Sequence, residues 1–260
     1  MADPGPPGFD VSVQDGIATL HLRNGKASTV DPPLIEALLL ALPPLTADPA
    51  VRCLVVRGSG RVFVAGADIA VMRQLSEDTY RQMRRWVDVQ RLLETAPKPV
   101  IAAMNGHALG GGAELALACD LRILHEAGTF GFPEAGLGLF PGAGGTQRLP
   151  RLVGPHVAKR LIMDARRLPA EEALRLGLVD LVASAAEFDA VVDRESRRLA
   201  SGPTAVIGMA KEAVDRGWGL PIDEAMAVEE KLVMRSIRTR DAAEGLQAFL
   251  DRRAPSFEGR

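Results

Sequence analysis

One stretch constrains this chain more than any other: Asn105-Gly-His-Ala-Leu-Gly110-Gly-Gly-Ala-Glu114-Leu-Ala-Leu-Ala-Cys119-Asp120. A β-type run, Val100-Ile-Ala-Ala-Met104, enters it, and an all-apolar helical run leaves it. The three glycines between them let the backbone pass very close to a neighbour. Unpaired N–H groups at a helix start also make a seat for a developing negative charge. From Val100 to Cys119, Glu114 is the only Asp, Glu, Lys or Arg. A solvated helix shows polar residues at helical spacing, whereas this one shows Leu115, Ala116, Leu117 and Ala118. Glu114 is therefore expected to be buried. Two readings stand side by side: a working carboxylate, or a charge that only steadies the helix dipole.

A second lone carboxylate follows. From Gly128 to Gln147 there are seven glycines and one charged residue, Glu134. An apolar loop of this length is usually functional, because ordering it costs entropy for little packing in return. Its glycines match neither GxxxxGK[ST] nor a well-placed GxGxxG, which excludes a nucleotide reading. Glu134 alone reads equally as a turn carboxylate bonded to backbone N–H groups. Two such residues favour acid–base chemistry, since burial can push their proton affinities apart. The N–H groups of Gly110–Gly112, with Ala67 after Gly66, are candidate donors to an oxyanion. Such donors are worth on the order of 3 kcal/mol each. The residues by themselves reach enolate-type chemistry with two glutamates.

The rest of the chain alternates strands and helices up to about residue 200, then turns to helices alone. Phe9–Val13 and Ile17–Leu22 alternate around Asp15-Gly16 as a hairpin. Pro32-Pro33 opens a helix that Pro43-Pro44 should stop near Leu42. Cys53–Val56 reads as a strand covered on both faces. One long helix is expected over Ser76–Thr95, and strands over Asp120–Leu124 and Leu178–Val182. Further helices are expected at about Pro155–Asp164, Ala170–Leu176 and Ala186–Ser201, then at Thr204–Arg216, Ile222–Ser236 and Asp241–Arg252. This pattern predicts an α/β core over 1–200 and a helical region over 201–260.

A net charge of −2 without a basic cluster argues against nucleic acid as a partner. No apolar run approaches the ~20 residues that span a bilayer. Met1–Gly8 reads as a Pro/Gly lead-in rather than a signal peptide. Cys53 and Cys119 sit in apolar contexts as core thiols, which fits a cytoplasmic setting. The absence of CxxC, HExxH or a histidine cluster argues against a metal site, and the absence of GxSxG against a serine hydrolase.

The chain resembles the crotonase (enoyl-CoA hydratase/isomerase) family, most of all its enoyl-CoA hydratases. The resemblance rests on Phe63-Val-Ala-Gly-Ala67-Asp68-Ile69, Pro97-Lys-Pro99, Asn105–Asp120, Phe130-Gly-Phe-Pro-Glu134 and Leu137-Gly-Leu-Phe-Pro-Gly142-Ala-Gly-Gly-Thr-Gln-Arg-Leu149. It extends to Ala242–Phe249 and Arg253–Phe257. It implies a spiral of ββα turns with a C-terminal helical region that builds a homo-oligomer, a trimer or a dimer of trimers. By position it implies Ala67 and Gly111 as oxyanion-hole donors and Glu114 and Glu134 as the catalytic pair. Ala65, Asp68, Ile69, Gly110, Pro133 and Gly142 would line the substrate site. The implied substrate is an acyl-CoA thioester of the kind met in fatty-acid β-oxidation. Water would add syn across a 2-trans-enoyl-CoA, with no metal or redox cofactor and with coenzyme A part of the substrate. The chain departs from the family at Ala70, where many relatives carry lysine, and at Ser28-Thr29-Val30, where Asn-Ala-Leu is common. A 3,2-enoyl-CoA isomerase, needing one base, and a non-catalytic crotonase-fold binding protein are the competing readings.

Overall fold

Alternation at the start of the chain becomes an antiparallel ladder. β1 (Phe9–Gln14) and β2 (Ile17–Leu22) pair from Phe9↔Leu22 to Gln14↔Ile17. Asp15 and Gly16, which join them, both have positive φ, as a tight hairpin turn requires. The computed structural model describes residues 8–74 and 76–260, so the lead-in expected over residues 1–8 lies, apart from Gly8, outside the described residues.

After the hairpin come β3 (Thr29–Val30), α1 (Pro32–Ala47), β4 (Cys53–Arg57), β5 (Val62–Val64), β6 (Gly66–Ala67) and α2 (Ile69–Met72). Next are α3 (Glu77–Arg84), α4 (Trp86–Glu94), β7 (Val100–Met104), β8 (His107–Leu109) and α5 (Gly111–Leu117). β9 (Leu121–His125), β10 (Thr129–Gly131) and a 3-10 turn (Pro133–Leu137) lead to α6 (Gly145–Met163), β11 (Arg167–Pro169), α7 (Ala170–Arg175) and β12 (Leu181–Ala183). The chain ends in α8 (Phe188–Ala200), α9 (Thr204–Gly217), α10 (Ile222–Ser236) and α11 (Arg240–Asp251).

The strands form a spiral. One sheet runs β1-β2-β4-β7-β9-β12, parallel from β2 onward, and a second runs β11-β10-β8-β5. Each turn thus gives a strand to each sheet: β4 then β5, β7 then β8, β9 then β10. The third sheet is the short parallel pair β3-β6. Both faces of β4, β7 and β9 are covered, which explains their continuous apolar runs. Leu54, Val56, Ala102, Met104 and Leu124 face the main core, while Cys53, Val55, Ile101, Ala103 and Ile123 face Phe188 and Val192 of α8.

Four expectations are corrected. Pro43 and Pro44 do not stop α1, which runs to Ala47; both prolines are exposed in the last turn while Leu42 and Thr46 stay buried. The helix expected over Ser76–Thr95 is two, divided at Arg85, where i→i−3 bonds to Gln82 O and from Asp88 N tighten the turn. A helical segment precedes Pro155, because α6 starts at Gly145 and breaks at Gly154 (φ 77, ψ 158) before resuming. The strand expected from Leu178 begins at Leu181. The chain beyond residue 200 is helical and is tied back to the spiral. Lys211 bonds Asp120 and Leu93 O, and Arg52 bonds Thr204, Gly202 O and Phe257 O.

Candidate active site

The central stretch becomes β8, a glycine turn and α5, with Glu114 in the first helical turn. Each glycine answers a close approach. A Cβ on Gly112 would lie 2.0 Å from Val64 O, so α5 starts directly against β5. A Cβ on Gly66 would lie 3.2 Å from Leu109 O and 3.5 Å from the Gly111 nitrogen, which brings β6 beside the helix start. Gly111 is the first residue of α5, so its N–H has no intrahelical acceptor. Ala67 pairs with Val30, yet it is Asp68 that donates to Val30 O at 2.8 Å, so the Ala67 N–H is turned to the other side. The segment Ser28-Thr29-Val30, unusual by sequence, therefore holds the strand that carries Ala67; Ser28 is buried, with its Oγ donating to Leu22 O.

Ala67 and Gly111 open onto a cavity of about 240 Å³ that both glutamates also line. Glu114 is 2% exposed. Its Oε1 accepts two backbone bonds, from Ala143 N and Gly145 N, each 2.8 Å long. Burial raises its pKa, opposed by these two N–H groups and by the charges of Arg148 and Arg84. Glu134 lies in the first turn of the 3-10 segment. Its Oε2 is buried without a hydrogen-bond partner among the described residues, and a Cβ on Gly110 would meet its Oε1 at 2.9 Å. Burial pushes its pKa up to about 7, its own N–H pulls the other way, and the charge of Glu114 adds to the rise. The two carboxylates thus differ in kind: one has an oxygen fixed by two amides, the other keeps an oxygen free and holds its proton near neutrality.

Of the residues named from sequence, Ala65, Ile69, Gly110, Pro133 and Gly142 line the same cavity. Asp68 does not; its Oδ1 caps α2 by accepting from Ala70 N (2.7 Å) and Val71 N (3.3 Å). His107 turns its Nδ1 to Thr129 Oγ1, away from the cavity. Asn105, at the head of the stretch, is a backbone clasp, accepting from Gly58 N and donating to Gly60 O and Val62 O. Sequence reasoning passed over Trp86, which lines the cavity and whose Nε1 donates to Gly111 O at 3.0 Å. It also passed over the two amides that hold Glu114; the Gly144-Gly145 pair at a helix start was the available signal.

Comparison with known proteins identifies the family. Residues 12–260 match the model of the enoyl-CoA hydratase/isomerase family. The crotonyl-CoA hydratase of Syntrophomonas wolfei is 42% identical over 247 residues, covering 94% of this chain and 95% of that protein. The short-chain-enoyl-CoA hydratase of Clostridium acetobutylicum is 41% identical over 208 residues, covering 79% and 80%. A crystal structure of an enoyl-CoA hydratase from Bacillus anthracis superposes with a TM-score of 0.92 at 35% identity, over 97% of this chain and 100% of that one. The chain belongs to the enoyl-CoA hydratase/isomerase family.

Proposed function

We propose that this protein adds water syn across the 2,3 double bond of a 2-trans-enoyl-CoA thioester, giving the 3-hydroxyacyl-CoA. The observation that carries the reading is the pairing of two unlike carboxylates in one apolar cavity. Glu114, its Oε1 held by Ala143 N and Gly145 N, takes a proton from the water whose oxygen bonds to C3. The C2–C3 π electrons move toward the thioester carbonyl, and the Ala67 and Gly111 N–H groups stabilise the oxyanion. Glu134, whose pKa near 7 keeps much of it protonated at neutral pH, delivers the proton to C2. Proton return from Glu114 to Glu134 closes the cycle. The chemistry calls on neither metal nor redox cofactor, and coenzyme A enters as part of the substrate. The substrate is a class that fatty-acid β-oxidation produces.

Two further parts of the reading concern the whole chain. It works as a homotrimer or a dimer of trimers, built through its C-terminal helices. It works in the cytoplasm, where Cys53 and Cys119, buried with pKa values near 12, stay reduced. Among the described residues no helix is long and apolar enough to cross a membrane.

The test follows loss of the conjugated thioester absorbance with crotonyl-CoA, alongside its appearance from a 3-enoyl-CoA. Glu114→Gln and Glu134→Gln should each lower hydration by roughly 10²–10⁴, non-additively, because both residues hold one water. Near-normal hydration by Glu114→Gln would defeat the two-glutamate mechanism. If one substitution abolished 3-to-2 isomerisation and the other left it intact, the activity would be that of an isomerase.

A further inference from the structure

The peptide that holds Glu114 is itself held. Residues 143–145 present Ala143 N and Gly145 N to the Glu114 carboxylate, and their other side rests on Arg148. Its Nη1 donates to Ala143 O at 3.4 Å, and its backbone N donates to Gly144 O at 2.8 Å. Gly144 has φ +112, and a Cβ there would fall 2.1 Å from Arg148 Nη1. The guanidinium occupies the space that a side chain at 144 would fill. Arg148 is in turn clamped: Nε and Nη2 make a fork onto Glu94 Oε1 and Oε2 at 2.8 and 2.9 Å. Nη1 also donates to Gln90 Oε1 at 2.6 Å. Gln90 is fully buried, and this orientation leaves its Nε2 without a partner among the described residues. A stranded buried donor is unfavourable, so the geometry sacrifices one hydrogen bond to fix the arginine.

We propose that Arg148, locked by Glu94 and Gln90, is the positioning residue for the Glu114 base, holding the 143–145 peptide so that its two amides aim one carboxylate oxygen and leave the other for water. The proposal rests on the hydratase reading above. Arg148 does not line the cavity, so it acts through the peptide and through its charge. The charged groups facing Glu114 are Arg148 from α6, Arg84 from α3 and Glu134 from the 3-10 turn. Glu94, which faces Arg148 from α4, also has Arg91 and Lys211 beside it. With Arg148 removed, Arg84 is the only cation left in that set, and the Glu114 carboxylate should hold its proton to higher pH.

The experiment measures kcat, KM and the pH dependence of kcat/KM for crotonyl-CoA hydration by wild type, Arg148→Gln, Arg148→Lys and Glu94→Gln, with folding followed by circular dichroism. Arg148→Gln should lower kcat roughly 10–10²-fold, the cost of a misplaced catalytic group, with KM within about threefold. Its acidic limb should move to higher pH. Arg148→Lys keeps the charge but loses the fork, so kcat should fall while the limb stays. Glu94→Gln leaves the Arg148 charge less compensated, so kcat should fall without any movement of the limb to higher pH. A folded Arg148→Gln enzyme with wild-type kcat and limb overturns the proposal. So does a loss of activity that only tracks the unfolded fraction, or a rise in KM alone. If Arg148→Gln does not fold, wild-type kcat in Arg148→Lys and Glu94→Gln overturns it. Failure of wild type to hydrate any 2-enoyl-CoA would instead overturn the reading on which the proposal rests.

Discussion

At the scale of single residues, the site is built on groups that would be more stable elsewhere. Glu134 shows this most directly. Its folded pKa, about 7, lies above the ordinary glutamate value of 4.5, so the folded state binds this proton more tightly than the unfolded chain does. The stability carried by the proton is therefore fully present below about pH 4.5 and is lost as pH rises through about 7. Glu134→Gln, which cannot ionise, should exceed wild type in stability at about pH 8.5 by on the order of 2 kcal/mol and match it near pH 4.5. Thermal melts at the two pH values read this, and an offset independent of pH would show that ionisation is not the cause. Glu114 and Glu134 were legible in the sequence because each is a lone charge in an apolar run. Arg148 and Glu94 were not, because Arg and Glu on a helix ordinarily face solvent, and Trp86 was not, because a helical Trp reads as ordinary core. Only the fold shows that Arg148 turns inward onto the 143–145 peptide. Asp68 misled for the converse reason: a cap for α2 and a ligand contact look alike in a loop.

At the scale of elements, steric space separates glycines that resemble one another on paper. Gly112 lets α5 meet β5, and its absent Cβ would lie 2.0 Å from the backbone oxygen of Val64. Neither partner can give way without moving a core element, so Gly112→Ala should cost at least about 3 kcal/mol. Gly142, which lines the active-site cavity, has among the described residues only Phe140 O at 3.8 Å near its absent Cβ and no positive φ. Gly142→Ala should stay within about 1 kcal/mol of wild type. Urea melts of the pair decide this, and equal losses would mean that the approach of α5 to β5 is looser than described. Hairpin, buried strands and C-terminal helices were legible because periodicity and turn residues agree in each. The short strands β5, β6, β8 and β10, two or three residues long, carry no period, so only their partners define them. The break at Arg85 was hidden because no Gly or Pro marks it; Trp86, the first residue after it, donates to Gly111 O.

At the scale of the molecule, the helices beyond residue 200 expose more apolar surface than one chain can use. Phe249 is 82% exposed, Leu250 73% and Leu246 70%, and Ile222, Trp218 and Ile237 are also open. Light scattering at micromolar concentration should report three subunits or six. The Phe249→Asp, Leu250→Asp double variant should shift the mass toward one, and a monomeric wild type would refute the assembly. The spiral itself has a separate consequence, in the timing of folding. Strands β1, β2, β4, β7, β9 and β12 lie in the sheet in the order in which they occur in the chain. Parallel strands are slow partners because each waits on a crossover. Here, though, every strand leaving the ribosome meets the free edge that the previous strand has just formed, whereas a full chain diluted from denaturant offers all its edges at once. Synthesis in a cell-free extract should accordingly give a higher yield of active protein than refolding at the same concentration, and equal yields would show that the order of the strands does not guide their pairing.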